Sequence, residues 1–144
     1  MSRALTYLLA LWLAGPAMAS GAWQAFHDRC LLPLENLFPP LVAELDRVSQ
    51  VGEVYGYRLA DGAALYVDLA PEDGLSACQV ADPSGMAEAP LRAWIRAAVA
   101  SERYERVGED VWHSVLWIEP ILEVRLQRGE DGVVLRILET ELEA

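Results

Sequence analysis

Cys30 and Cys78 are the only cysteines in the chain, and the compartment in which the chain folds decides what they become. The opening stretch, MSRALTYLLALWLAGPAMAS, has the layout of a secretory signal. Arg3 precedes an apolar run from Ala4 to Ala14, Gly15 and Pro16 break it, and Ala17 and Ala19 supply the small residues a signal peptidase requires. The run is shorter than the ~20 residues of a bilayer span, so an uncleaved anchor is the competing reading. Cleavage after Ala19 is expected, leaving residues 20–144 as one exported domain, periplasmic or extracellular. Under oxidising conditions two cysteines pair most simply with each other. A Cys30–Cys78 bond would close a loop of roughly 49 residues, for which chain entropy gives about 4 kcal/mol at most. Two free buried thiols, or one reactive thiol, are the alternatives.

Charge narrows the partners. The chain has 22 acidic residues against 11 basic ones, all arginine. Losing Arg3 with the leader leaves 22 against 10, a net charge of −12. Such a surface repels phosphate backbones and anionic lipid, so neither nucleic acid nor a membrane is expected as a partner after leader removal. With no lysine, lysine-based covalent chemistry is excluded.

Periodicity then places the elements. Trp23, Phe26 and Cys30 are spaced as one helical face, predicting a helix over about 22–32 that Pro33 kinks or ends. Leu41, Leu45 and Val48 predict a short second helix from Pro40 to about Ser49. Tyr55, Tyr57 and Leu59 alternate, as do Leu65, Val67 and Leu69. Asp61–Gly62 between them is the strongest short hairpin signal, because a type I′ turn needs positive φ. The expected hairpin pairs 54–60 with 63–69. A strand over about 75–81 would put Cys78 and Val80 on one face, towards the helix bearing Cys30. Leu91, Trp94, Ile95, Ala98 and Val99 predict an amphipathic helix over 90–102 with Pro90 in its first turn. Four strands follow: 103–107, 111–119, and a hairpin whose inward faces are Leu122, Val124 and Leu126 and then Val133, Leu135 and Ile137. The predicted class is α+β: an antiparallel sheet of six to seven strands packed by two or three helices, in the order α(α)βββαββββ. A helix followed by strands occurs twice, a hint of duplication.

Motifs carrying chemistry are sparse. His27 and Cys30 are helical neighbours, so an imidazole-activated thiolate or, with Cys78 and an acidic residue, a metal site can be drawn. A disulfide removes both. His113 and Ser114 are adjacent on a strand and must point to opposite faces, so they cannot form a hydrolase pair. The carboxylates cluster in turns. Glu123, Arg125 and Arg136 read as an outward ion-pair ladder. No phosphate loop, dinucleotide fingerprint or other cofactor motif occurs, and no catalytic residue or cofactor is assigned. The aromatics remain: Tyr57, Tyr66, Trp112 and Trp117, with His113, form the candidate binding surface on the sheet. The expectation is a non-enzymatic exported binding or accessory module, stabilised by one disulfide, whose partner is a protein or a small ligand. The alternative is a small exported hydrolase or metal-dependent enzyme using a histidine with nearby carboxylates.

Overall fold

The structure, a computed structural model, describes residues 21–141, excepting the side chains of Trp117 and Ile118. The predicted leader and cleavage site lie outside the described residues. Helix α1 begins with an α-helical turn, Gly21–Ala25, widens into a π-helical stretch, Phe26–Leu31, and ends in a further α-helical turn, Leu32–Glu35. A four-strand meander follows: β1 (Arg47–Val51), β2 (Val54–Arg58), β3 (Ala64–Asp68) and β4 (Ser76–Asp82). Helix α2 (Glu88–Ala100) then leads to β5 (Tyr104–Gly108), β6 (Val111–Ile118), β7 (Ile121–Gly129) and β8 (Gly132–Thr140). All eight strands form one sheet in the order β1-β2-β3-β4-β8-β7-β6-β5, and every neighbouring pair is antiparallel. The protein is α+β, with one strand more than the upper sequence expectation.

The extra strand replaces the second helix. Residues 38–46 run without helix, and β1 begins at Arg47. Pro39 and Pro40 disfavour helical geometry in the residues before them. The carbonyls a helix would have used are taken from outside: Arg29 donates from one guanidinium nitrogen to the Leu41 and Ala43 carbonyls, at 2.9 and 3.1 Å. Val42 and Leu45 still turn inwards and pack on the core.

Pro33 does not end the helix, one of the two outcomes expected of it. It lacks an N–H and would crowd the carbonyl of Arg29. The helix does not stop. It widens beforehand, so that Leu32 N–H bonds the His27 carbonyl, and the freed Arg29 carbonyl accepts Leu41 N–H at 2.9 Å. Helix α2 starts two residues before the expected Pro90. Of its predicted stripe, Leu91, Ile95 and Ala98 are buried, whereas Val99 is 39 % exposed.

The hairpin signals hold. Asp61 (φ 59°) and Gly62 (φ 77°) form the central pair of a turn closed by Ala63 N–H to the Ala60 carbonyl, at 3.2 Å. The predicted inward faces of β7 and β8 are all buried. Phe26 and Cys30 of α1 and Leu91 and Ile95 of α2 join these strand residues in one core, so both helices cover the same face and leave the other open. Cys30 and Cys78 are fully buried and disulfide-bonded, their Cα atoms 5.4 Å apart.

The suspected duplication is a repeat of topology. Each half is a helix followed by a four-strand meander, and the meanders meet at the β4–β8 seam. A two-fold axis normal to the sheet through the Gln79–Arg136 pair exchanges them. On the covered face it carries the register row Val80, Leu65, Tyr57, Arg47 onto the row Ile137, Val124, Trp112, Arg106. An aromatic residue and an edge arginine therefore occupy equivalent places in both halves.

Helix α1 is tied to the far edge by the Tyr104 hydroxyl, which donates to Glu35 at 3.0 Å. Burial raises the Glu35 carboxyl above its ordinary value, opposed by that hydrogen bond and by Arg103. An acid raised in the folded state favours folding below its unfolded value of 4.5, and that contribution is lost as pH rises through the folded value. Glu35→Gln keeps an acceptor for Tyr104 and cannot ionise. It is expected to be more stable than wild type at about pH 7, with the difference shrinking towards about pH 3, in urea unfolding at the two pH values.

Candidate functional site

The adjacent residues Trp112 and His113 of β6 face opposite sides of the sheet, and each lines a hollow. On the covered side, Arg92, Ile95, Arg96, Val99 and Ala100 of α2, with Arg106 of β5 and Trp112, surround a groove of about 530 Å³. Trp112, only 6 % exposed, lies in its floor. The groove exists because α2 uses Leu91, Ile95 and Ala98 to pack on the sheet, leaving Val99 half-covered beside the outer strands.

The three arginines differ in their partners. Arg92 is neutralised by Glu88 (3.1 Å) and Asp110 (2.9 Å), which raise its guanidinium above its ordinary value. Arg128 also grips Glu88 and holds its carboxyl down at about 2. Arg96 instead donates Nε–H to the Arg92 carbonyl at 3.3 Å, and Arg106 donates Nε–H to the Gly108 carbonyl at 3.0 Å. Among the described residues no carboxylate forms an ion pair with either. Two guanidiniums thus flank an apolar floor without an anion, in a chain with twice as many acidic as basic residues.

On the open side, His113, Glu123, Asp73 and Glu141 line a depression of about 560 Å³ together with Leu75 and Ile121. His113 Nε2 lies 2.8 Å from Glu123 Oε2, and Arg125 donates to the other Glu123 oxygen at 2.8 Å. Arg136 grips Asp73 with two bonds of 3.0 Å and holds that carboxyl below its ordinary value. Glu123 and Asp73, two of the three carboxylates of the depression, are therefore each committed to an arginine. Within the expected ladder, Arg125 meets Glu123, but Arg136 turns to Asp73 in the β3–β4 loop.

The candidate binding residues do not share one surface. Trp112 and Tyr57 are on the covered face, Tyr57 half-buried against the core. Tyr66 and His113 are on the open face, where the Tyr66 ring lies over Gly56 of β2. The side chain of Trp117 lies outside the described residues. Ser114 faces the core, away from His113, and accepts Leu122 N–H at 2.9 Å. His27 bonds Asp28 at 2.8 Å. Among the described residues no three His, Cys, Asp or Glu side chains are placed to hold a metal ion. Sequence reasoning found Trp112 but missed Arg96 and Arg106. The available signal for Arg96 was its i, i+4 spacing from Arg92 on the flank of a helix whose apolar stripe overruns its core contact; Arg106 had none.

No family model, curated protein or solved structure matches the chain. The groove sets forked donors above an apolar floor, a chemistry suited to an anion attached to apolar matter.

Proposed function

We propose that the protein is an exported, non-enzymatic binding module that takes an anionic, partly apolar ligand into the groove between α2 and the β5–β6 edge. The observation that carries the reading is the pair Arg96 and Arg106 beside Trp112, with no carboxylate partner among the described residues of an acidic molecule. Pockets of this size suit small ligands or short peptide segments. Export rests on the leader and agrees with the buried Cys30–Cys78 bond.

The enzymatic reading draws on the His113–Glu123 pair alone. It is the weaker one, because Glu123 and Asp73 in that hollow are each paired with an arginine and the adjacent hydroxyl, Ser114, points into the core.

A matched set of decyl probes tests the binding reading. Decanoate is expected to raise Tm by several degrees, while decyltrimethylammonium leaves it unchanged. Arg96→Gln/Arg106→Gln should abolish the decanoate effect without lowering the unliganded Tm. Equal responses to both headgroups, or an undiminished response in the double variant, would remove the groove as an anion site. Intact mass of the protein recovered from the export compartment should correspond to a chain beginning at Ser20, two hydrogens lighter than its reduced form.

A further inference from the structure

We infer that the groove takes the bulged end of β6 from a second copy of this protein, so that copies join head to tail, an inference that rests on reading the groove as the binding site. A break in strand register points to it. β6 and β7 pair at His113 with Glu123 and next at Ile118 with Ile121. Four residues of β6, 114–117, therefore stand against one of β7, Leu122. An insertion of this kind interrupts the ladder and re-aims the side chains of the bulged strand.

The ladder is partly repaired on the spot. The Ser114 hydroxyl accepts Leu122 N–H at 2.9 Å, and Val115 N–H donates to the Arg103 carbonyl at 2.9 Å. Packing does not follow. Of the described side chains in the bulge only Ser114 is buried, whereas Val115 and Leu116 are 42 % and 66 % exposed. Adjacent apolar side chains held out in solvent by a fixed backbone suit a contact outside the molecule. Glu119 follows on the same arm, exposed and with no ion pair among the described residues. The arm thus joins apolar side chains to an unpaired carboxylate.

That is the complement of the groove, where Arg96 and Arg106 flank Trp112. Within one molecule the two stay apart: none of residues 114–119 lines the groove. Charge then selects among contacts between copies. Each chain has a net charge of −11, so most pairings of faces bring like charges together, and one that sets a carboxylate on two unpaired guanidiniums is favoured over them. The other exposed apolar cluster, Leu32, Phe38 and Leu41, has Asp28 beside it, and that carboxylate is already bonded to His27. Groove and arm are different surfaces, so the contact is heterologous: a copy that gives its arm keeps its own groove open for the next.

Sedimentation velocity of the protein recovered from the export compartment tests this. The weight-average mass is expected to rise over an about hundredfold span of concentration and to fall back when decanoate is added. Arg96→Gln/Arg106→Gln, and separately Leu116→Ser/Glu119→Gln, should each weaken association by about tenfold or more. All four residues are exposed, so the unassociated Tm should not change. Mixing the two variants is the sharpest comparison. One retains the arm and the other the groove, so one-to-one pairs should form and grow no further. Association that survives in Leu116→Ser/Glu119→Gln, or is lost instead in Phe38→Ser/Leu41→Ser, would put the contact elsewhere and overturn the inference. So would a protein that stays monomeric while decanoate raises its Tm, although the anion-site reading would then stand. A monomer indifferent to decanoate removes both.

Discussion

Replacing either Cys30 or Cys78 with serine is expected to lower the stability of the domain by about 4 kcal/mol, and replacing both to cost little more. The bond closes 48 residues of chain. It joins the widened stretch of α1 to β4, at the seam between the two meanders, and both sulfurs are fully buried in the common core. Loss of either sulfur opens the same loop, so the second substitution has little left to remove. Domains of this size retain only about 5–15 kcal/mol, and the variants should show a much lower urea midpoint with unchanged β-sheet ellipticity at zero denaturant. Losses that simply add would mean the two sulfurs act independently.

Asp82→Ala should cost about 3 kcal/mol, the second large effect. Asp82 ends β4 and is 3 % exposed. One carboxylate oxygen accepts the Ser84 N–H (3.0 Å) and the Ser84 hydroxyl (2.7 Å), and the other accepts Ala87 N–H at 2.9 Å. Ala87 is the residue just before α2 and has no cap of its own. The carboxylate thus does at a distance what an N-cap side chain does locally. It fixes the crossing from the seam strand into the helix that walls the groove. Alanine strands a buried N–H, while Asp82→Asn keeps one acceptor and should fall between the two. Stability of Asn equal to that of Ala would show that a single neutral acceptor recovers nothing and that the two-oxygen carboxylate carries the effect. Because α2 holds Arg96, the alanine variant should also lose decanoate binding before it loses its fold on mild heating.

Much of the architecture is readable from local pattern. Asp61–Gly62 specifies its turn through backbone sterics alone, and the alternations in β7 and β8 have a period that only a half-buried strand satisfies. Where spacing fails, a tertiary contact intervenes. Leu41, Leu45 and Val48 match a helical face, yet Arg29 captures the carbonyls that such a helix needs, and nothing local announces it. The groove was half legible for a related reason. Trp112 attracts notice by type, but Arg106 joins it only through the β5–β6 register and Arg96 only through the helix overhead. The equivalence of Tyr57 and Trp112 is invisible in sequence, because it exists in strand pairing and not in residue similarity.

The seam has one more consequence. β8 is the last strand to be synthesised among those described, yet it stands fifth of eight across the sheet, between β4 and β7. Removing β8 would not fray a margin. It would cut the protein down its midline, leaving two half-sheets with no common hydrogen-bonded boundary. The centre of the sheet therefore closes only once residues 132–140 are available, later than every other described strand.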